Sequence, residues 1–168
     1  MNVPELLGAN KTSTEKTTMN WKKFFFAFIA AFIFIFFFGW FFHEVLLKDT
    51  YAQLPSGLSR SADDFKSHFG WLVLGQLVFA FMFALIFASG FTGIPRWPGF
   101  PGGGVGSGVK LGIMLAFLGI GGHALITYAT QPFPGNLIVY WSIGALVEMA
   151  IVGAIVGAIY KPSSRTTT

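Results

Sequence analysis

The residues of this chain that could carry acid–base or metal-ligand chemistry are few, and they lie within or beside long apolar segments. The histidines are His43, His68 and His123, and two acids, Glu44 and Glu148, fall inside apolar segments. An ionisable group costs free energy in the lipid core and needs a partner there, which makes such a residue a candidate for function. These five side chains are therefore the first candidates for a functional site.

Two of the candidates, His123 and Glu148, are predicted to lie at similar depth on neighbouring helices. At about 1.5 Å per helical residue, His123 lies about 12 Å and Glu148 about 16 Å from the same end of their segments. The short connection "QPFPGN" joins the two segments, so they run antiparallel side by side. We predict that His123 and Glu148 can form a polar or proton-exchanging pair.

The three histidines also raise the question of a cofactor. Imidazole ligates haem, zinc and other metals, so His43, His68 and His123 are candidate ligands for a haem, a pigment or a quinone head group. However, no HxxxH or HExxH spacing occurs, and the absence of cysteine excludes thiolate ligands and disulfides. A buried His–Glu pair with two interfacial histidines explains the same residues, and we expect no catalytic residue, no metal and no bound cofactor.

The composition indicates that lipid surrounds the elements that carry these side chains. Hydrophobic residues make up 54% of the 168 residues and charged residues 11%, whereas soluble domains carry about 25% charge. Of the 21 phenylalanines, a large share falls in "FFFAFIAAFIFIFFFGWFF". The net charge of +4 comes from basic residues beside apolar blocks, so it indicates membrane orientation rather than nucleic-acid binding.

Four segments are long and apolar enough to be transmembrane helices, each needing about 20 residues. They lie at about 24–47, 69–91, 111–131 and 137–160. Because every face of each segment is apolar and lipid cannot satisfy the backbone, helices are expected rather than strands. The predicted fold is all-α: a four-helix antiparallel transmembrane domain over 21–161, between a polar, flexible tail at 1–20 and a short tail at 162–168.

The distribution of basic residues predicts the orientation in the membrane. Eight lysines and arginines fall on the side of the two tails and the second connection, and three on the opposite side. Since cytoplasmic loops are enriched in these residues, both termini are expected in the cytoplasm. The candidate histidines and both acids within the segments then lie in the outer half of the membrane.

The connections differ in character. The outer connection "DTYAQLPSGLSRSADDFKSH" is long enough to form a small cap, and Ser61 before "ADDF" is typical of a helix start. The inner connection "GFTGIPRWPGFPGGGVGSGVK" is dominated by glycine and proline. We predict that it is a flexible loop, and that its "GGGVGSG" part does not bind a nucleotide because no strand precedes it.

Small residues mark the faces through which helices are expected to pack, because they let backbones approach closely. One stripe on the third segment leads to His123, and a GxxxG motif marks the fourth. The predicted packing residues are Gly108, Gly112, Ala116, Gly119, Gly153 and Gly157. Glu148 falls on roughly the opposite side of the fourth helix from Gly153, which suggests a second face for another copy or another subunit.

Three stretches, "LLKDTYAQLPSGLSR", "YATQPFPG" and "GAIVGAIY", resemble small four-helix integral membrane proteins of bacteria that have no established activity. The resemblance covers about residues 45–161. It implies a four-helix bundle in the bacterial cytoplasmic membrane and assigns no catalytic residue.

Three functions are compatible with these patterns. The first is a non-catalytic accessory subunit of a respiratory, photosynthetic or oxidative membrane complex, in contact with lipid, quinone or pigment. The second is a small homo-oligomeric transporter or channel that uses His123 and Glu148. The third is a membrane redox or metal protein that uses the histidines of the outer half. The expected partners are membrane lipid and other integral membrane subunits or further copies of the chain, and not nucleic acid.

Overall fold

The protein is predominantly helical in the part of the chain that the structure, a computed structural model, describes: residues 19–89 and 103–160. The predicted flexible tails and the loop at 90–102 lie outside these ranges. The elements in chain order are α1 (Trp21–Trp40), a π-helical segment (Phe41–Leu46), α2 (Lys48–Ala52), α3 (Ala62–Ala88), α4 (Val105–Gly119), a second π-helical segment (Ile120–Ala124), α5 (Leu125–Thr130) and α6 (Gly135–Ile159). No strand occurs among the described residues, which confirms the all-α class.

Four continuous helical segments are long and apolar enough to cross a membrane. They are Trp21–Leu46, Ala62–Ala88, Val105–Thr130 and Gly135–Ile159. Many of their large apolar side chains are exposed, including Trp71 at 72% and Leu118 at 70% of their surface. A surface of this kind suits lipid, and the protein is a multi-pass membrane protein.

The helix that contains the second segment begins earlier than the apolar pattern indicates, at Ala62 rather than near 69. Ser61 is its N-cap: its Oγ accepts a hydrogen bond from the backbone N–H of Asp64 at 3.3 Å, which satisfies one of the unpaired donors of the first turn. Asp63 and Asp64 lie in that turn, where negative charge is favourable. The predicted helix start at Ser61 is confirmed.

The prediction that "GGGVGSG" belongs to a flexible loop is wrong for the second half of this stretch, from Val105 onward. Gly104 has a φ of 88°, in the left-handed region that glycine tolerates, and α4 begins at the next residue, Val105. Ser107 and Gly108 are buried in its first turns. Tertiary packing therefore outweighs the low helix propensity of these glycines, and Val105–Thr130 starts before the predicted 111.

The closest helix contact joins α4 to α6 through glycine. A methyl group on Gly108 would meet the carbonyl group of Gly153, and one on Gly112 would meet that of Met149. A methyl group on Gly157 would likewise meet the carbonyl of Gly104. Partner numbers fall along α6 as they rise along α4, so the two helices are antiparallel and their backbones are in contact.

A second set of contacts joins α1 to α3 and α6. The buried face of α1 consists of Phe24, Ala27, Ala31 and Ile35, spaced three or four residues apart. The rings of Phe24 and Phe81 meet edge to face with centroids 5.4 Å apart, which places the start of α1 beside the second half of α3.

At the opposite end of α1, the ring of Phe42 packs directly against Gly144 of α6. Helix α6 thus lies between α4 and α1, and α1 lies between α6 and α3. The side on which α2 lies is referred to below as the α2 end.

Candidate functional site

Two π-helical segments interrupt the membrane-length helices at the α2 end. In the first, the N–H of Leu47 donates to the carbonyl of Phe42 at 3.0 Å, and in the second the N–H of Leu125 donates to the carbonyl of Ile120. This five-residue spacing widens the helix, and such bulges are frequent at functional sites. Each segment carries a candidate histidine, His43 in the first and His123 in the second.

A cavity of about 380 Å³ lies between the end of α1, the end of α4 with the π-helical segment that follows it, and α6. Its polar or amphipathic lining residues are His43, His123, Trp141, Ser142 and Glu148. Its apolar lining residues are Phe38, Phe42, Ile120, Ala124 and Ala145, with Gly39, Gly119 and Gly144 completing the wall. We call this space the α2-end cavity. It combines apolar walls with a few convergent polar groups, as small-molecule sites do.

His123 and Glu148 reach this cavity from different helices but do not pair directly. No hydrogen bond or ion pair joins them in the part of the chain that the structure describes. Glu148 is half-buried and His123 is exposed. Glu148 faces the space between α4 and α1, within the chain itself. The prediction that it marks a second face of α6 for another copy or another subunit is therefore wrong.

The third ionisable residue that lines the cavity, His43, is anchored from outside the cavity by Tyr51 of α2. The Tyr51 hydroxyl lies 2.6 Å from Nδ1 of His43, and the indole Nε1–H of Trp141 donates to the same hydroxyl at 2.8 Å. The rings of His43 and Tyr51 are stacked with centroids 5.9 Å apart. Leu47, which is buried just before α2, fixes the start of that short helix, so α2 holds Tyr51 over the end of α1.

Tyr51 is a protonated donor at neutral pH. Burial raises the pKa of its hydroxyl above the usual value of 10; the hydrogen bond from Trp141 offsets part of this rise, and the nearby Glu44 carboxylate adds a smaller rise. A phenol whose pKa lies above 10 keeps its proton at every physiological pH.

His68 takes no part in the α2-end cavity. Its Nδ1 lies 2.8 Å from the backbone oxygen of Asp64 and 3.2 Å from the Asp64 carboxylate, in a polar cluster with Arg60 and Ser67 at the start of α3. The three histidines therefore do not form one site. Residues 19–89 and 103–160 contain no group of three or more His, Asp or Glu side chains placed to hold a metal ion.

Gly119 departs from the predicted packing stripe within this chain. A methyl group there would meet no atom within 4 Å, whereas Gly108 and Gly112 touch α6 directly. The reason is the cavity itself, which separates the end of α4 from α6 beyond the buried Ala116. Any packing role of Gly119 must involve something outside the described part of the chain.

Tyr51, Trp141 and the ring pair Phe38–Phe42 belong to the site but were not predicted from the sequence. Tyr51 lies outside the apolar segments, and no local pattern links it to His43 or to Trp141. For α1 a signal did exist: Ala27, Ala31 and Ile35 continue to Gly39 at spacings of four, and this line marks the side of the helix that faces the rest of the protein.

Comparisons with family models, with curated proteins and with solved structures found no match to this chain. The resemblance to small bacterial four-helix membrane proteins thus contributes no residue roles, and the site rests on the geometry of the α2-end cavity.

Proposed function

We propose that this protein is a non-catalytic accessory subunit of a larger membrane protein complex. In this proposal it lies in the bacterial cytoplasmic membrane as an antiparallel four-helix bundle with both termini in the cytoplasm. The antiparallel order of the α4–α6 contacts supports the bundle, as do the ring contacts of α1 with α3, Phe24 with Phe81 and Phe36 with Phe69. The excess of basic residues on the side of the two tails supports the orientation. The α2-end cavity then lies in the outer half of the membrane.

The observation that carries the proposal is a group of exposed glycines around His123. Gly119, Gly121 and Gly122 are exposed, and a methyl group on any of them would meet no atom within 4 Å. Glycine destabilises a helix by about 1 kcal/mol relative to alanine, and nothing within the described residues uses the space. In membrane helices, small residues typically admit the backbone of a second helix.

His123 lies in the same segment, exposed and beside these glycines. A polar side chain at such a place in a membrane helix calls for a hydrogen-bonding partner. A helix of another subunit that lies against Gly119 and Gly122 would bring such a partner to His123.

Purification of the tagged full-length chain from its native membrane in a mild detergent tests this role. We expect larger integral membrane subunits to copurify in fixed ratio, and Gly122→Leu to abolish their recovery because the added side chain fills the path of the partner helix. Val78→Phe, which adds bulk at an exposed position of α3, is the matched control and should leave recovery unchanged. Isolation of the wild-type chain alone, or equal recovery with Gly122→Leu, would contradict the proposal.

A further inference from the structure

The hydrogen bonds of Tyr51 determine which nitrogen of His43 carries its proton. Trp141 Nε1–H can only donate, so the Tyr51 oxygen accepts that bond. The contact with His43 Nδ1 at 2.6 Å is the remaining hydrogen bond of this hydroxyl among the described residues. If the imidazole also donated to Tyr51, the phenolic proton would be left without an acceptor in a half-buried place, which is costly. Tyr51 therefore donates to Nδ1.

It follows that His43 presents a hydrogen-bond donor to the α2-end cavity. A ring nitrogen that accepts a hydrogen bond carries no proton, so the neutral imidazole holds its proton on Nε2. Nδ1 is engaged outside the cavity by Tyr51, and His43 lines the cavity. The group left for a ligand is thus the Nε2–H.

The rest of the lining favours a flat molecule that carries no negative charge. The rings of Phe38 and Phe42 are stacked, 5.7 Å apart and inclined by 10°, and Trp141 of α6 also lines the cavity. Neither lysine nor arginine lines the cavity, so an anion would find no fixed positive charge. The hydroxyl of Ser142 donates to the carbonyl of Ile138 at 2.8 Å and therefore offers a ligand an acceptor.

We propose that the α2-end cavity binds the carbonyl-bearing ring of a lipid-soluble molecule of the quinone type. The His43 Nε2–H donates to a ring carbonyl oxygen, and the aromatic wall packs on the face of the ring. Tyr51 is a positioning residue that acts through His43, and Trp141 both holds Tyr51 by its hydrogen bond and lines the cavity. The site lies wholly within this chain, so it does not depend on the partner helix proposed above.

Equilibrium binding of a decyl-substituted benzoquinone to the full chain in detergent micelles tests the site. We expect saturable binding with one molecule per chain. Decylbenzene, which has the same tail and no carbonyl group, should not compete. His43→Ala should weaken binding about tenfold, or about 1.4 kcal/mol, the loss of one hydrogen bond in an apolar place. His43→Gln, which keeps an N–H donor, should retain part of the affinity. Tyr128→Phe, which removes an exposed hydroxyl outside the cavity, should change nothing.

Nitrogen NMR of labelled histidine distinguishes a positioning role of Tyr51 from a merely structural one. In the wild-type protein the His43 signals should report a proton on Nε2. In Tyr51→Phe, which keeps the stacked ring, they should report a mixture of tautomers, with quinone binding weakened several-fold and the helix content unchanged.

Three results would overturn the proposal. The first is the absence of saturable binding by the wild-type chain. The second is equal quinone affinity in wild type, His43→Ala and Tyr51→Phe. The third is displacement of the quinone by a short-chain phospholipid, whose ester carbonyls would then be the true ligand. Isolation of the chain without partner subunits would leave these binding results unaffected.

Discussion

Gln76 of α3 holds a buried side-chain oxygen for which the described part of the structure provides no hydrogen-bond partner. Its amide lies against α1: Nε2 is 3.4 Å from the place where a Cβ on Gly39 would be. A buried polar atom without a partner destabilises the folded state by about 1–3 kcal/mol. Gln76 was not predicted from the sequence, because an uncharged amide is not an ionisable group.

Gln76→Leu should therefore raise the free energy of unfolding by about 1–3 kcal/mol, since leucine has a similar size and no polar atom. The measurement is reversible unfolding of the purified protein by a denaturing detergent, followed by circular dichroism. Gln131→Leu, at an exposed position next to the end of α5, is the control and should change stability by less than about 0.5 kcal/mol. A destabilised Gln76→Leu would mean that the amide oxygen is bonded after all.

His43, His123 and Glu148 were predicted from the sequence as ionisable groups in apolar segments, and the structure brings all three to the α2-end cavity. The cost of an ionisable group in lipid is a property of the residue type and its neighbours, so the sequence is sufficient to find it. The anchor of His43 could not be found in this way. Tyr51 and Trp141 are 90 residues apart in sequence, and only the fold brings them together.

Among the elements, α4 shows how packing decides secondary structure. Its first turns contain Gly106 and Gly108, residues that weaken a helix, yet Gly108 is buried against α6. Spacing alone identified Gly108 and Gly112 as packing residues, since positions four apart share a helix face. The start of the helix at Val105 could not be predicted, because it depends on the partner helix and not on local propensity.

Gly108→Ala is expected to lower the free energy of unfolding by about 1–3 kcal/mol, because the new methyl group meets the backbone carbonyl of Gly153 and the helices must separate. Gly106→Ala, two residues away in open space, should be neutral or stabilise by up to about 1 kcal/mol through helix propensity. Detergent-induced unfolding of both variants provides the comparison. Equal effects of the two substitutions would show that α4 and α6 are not in backbone contact.

For the whole molecule, composition was enough to predict four apolar helices, because the length and hydropathy needed to cross a bilayer are visible in the sequence. The arrangement of these helices could be predicted from the sequence only in part. Phenylalanines surround α1 on every side, and only the contacts of Phe24 with Phe81 and of Phe42 with Gly144 show which neighbours it has. The α2-end cavity arises at this level, because the end of α4 separates from α6 beyond Ala116 while Phe42 stays packed against Gly144 of α6.

The central claim is that four helices cross the membrane with the α2 end outside, and single-cysteine labelling tests it most directly. The sequence contains no cysteine, so Asn10→Cys, Ser56→Cys and Ser164→Cys each introduce the sole thiol. In intact spheroplasts an impermeant maleimide should label Ser56→Cys, in the connection after α2, and should label the two tail variants only after the membrane is permeabilised. Labelling of the tails on opposite sides of the membrane, or protection of Ser56→Cys in intact cells, would contradict the account.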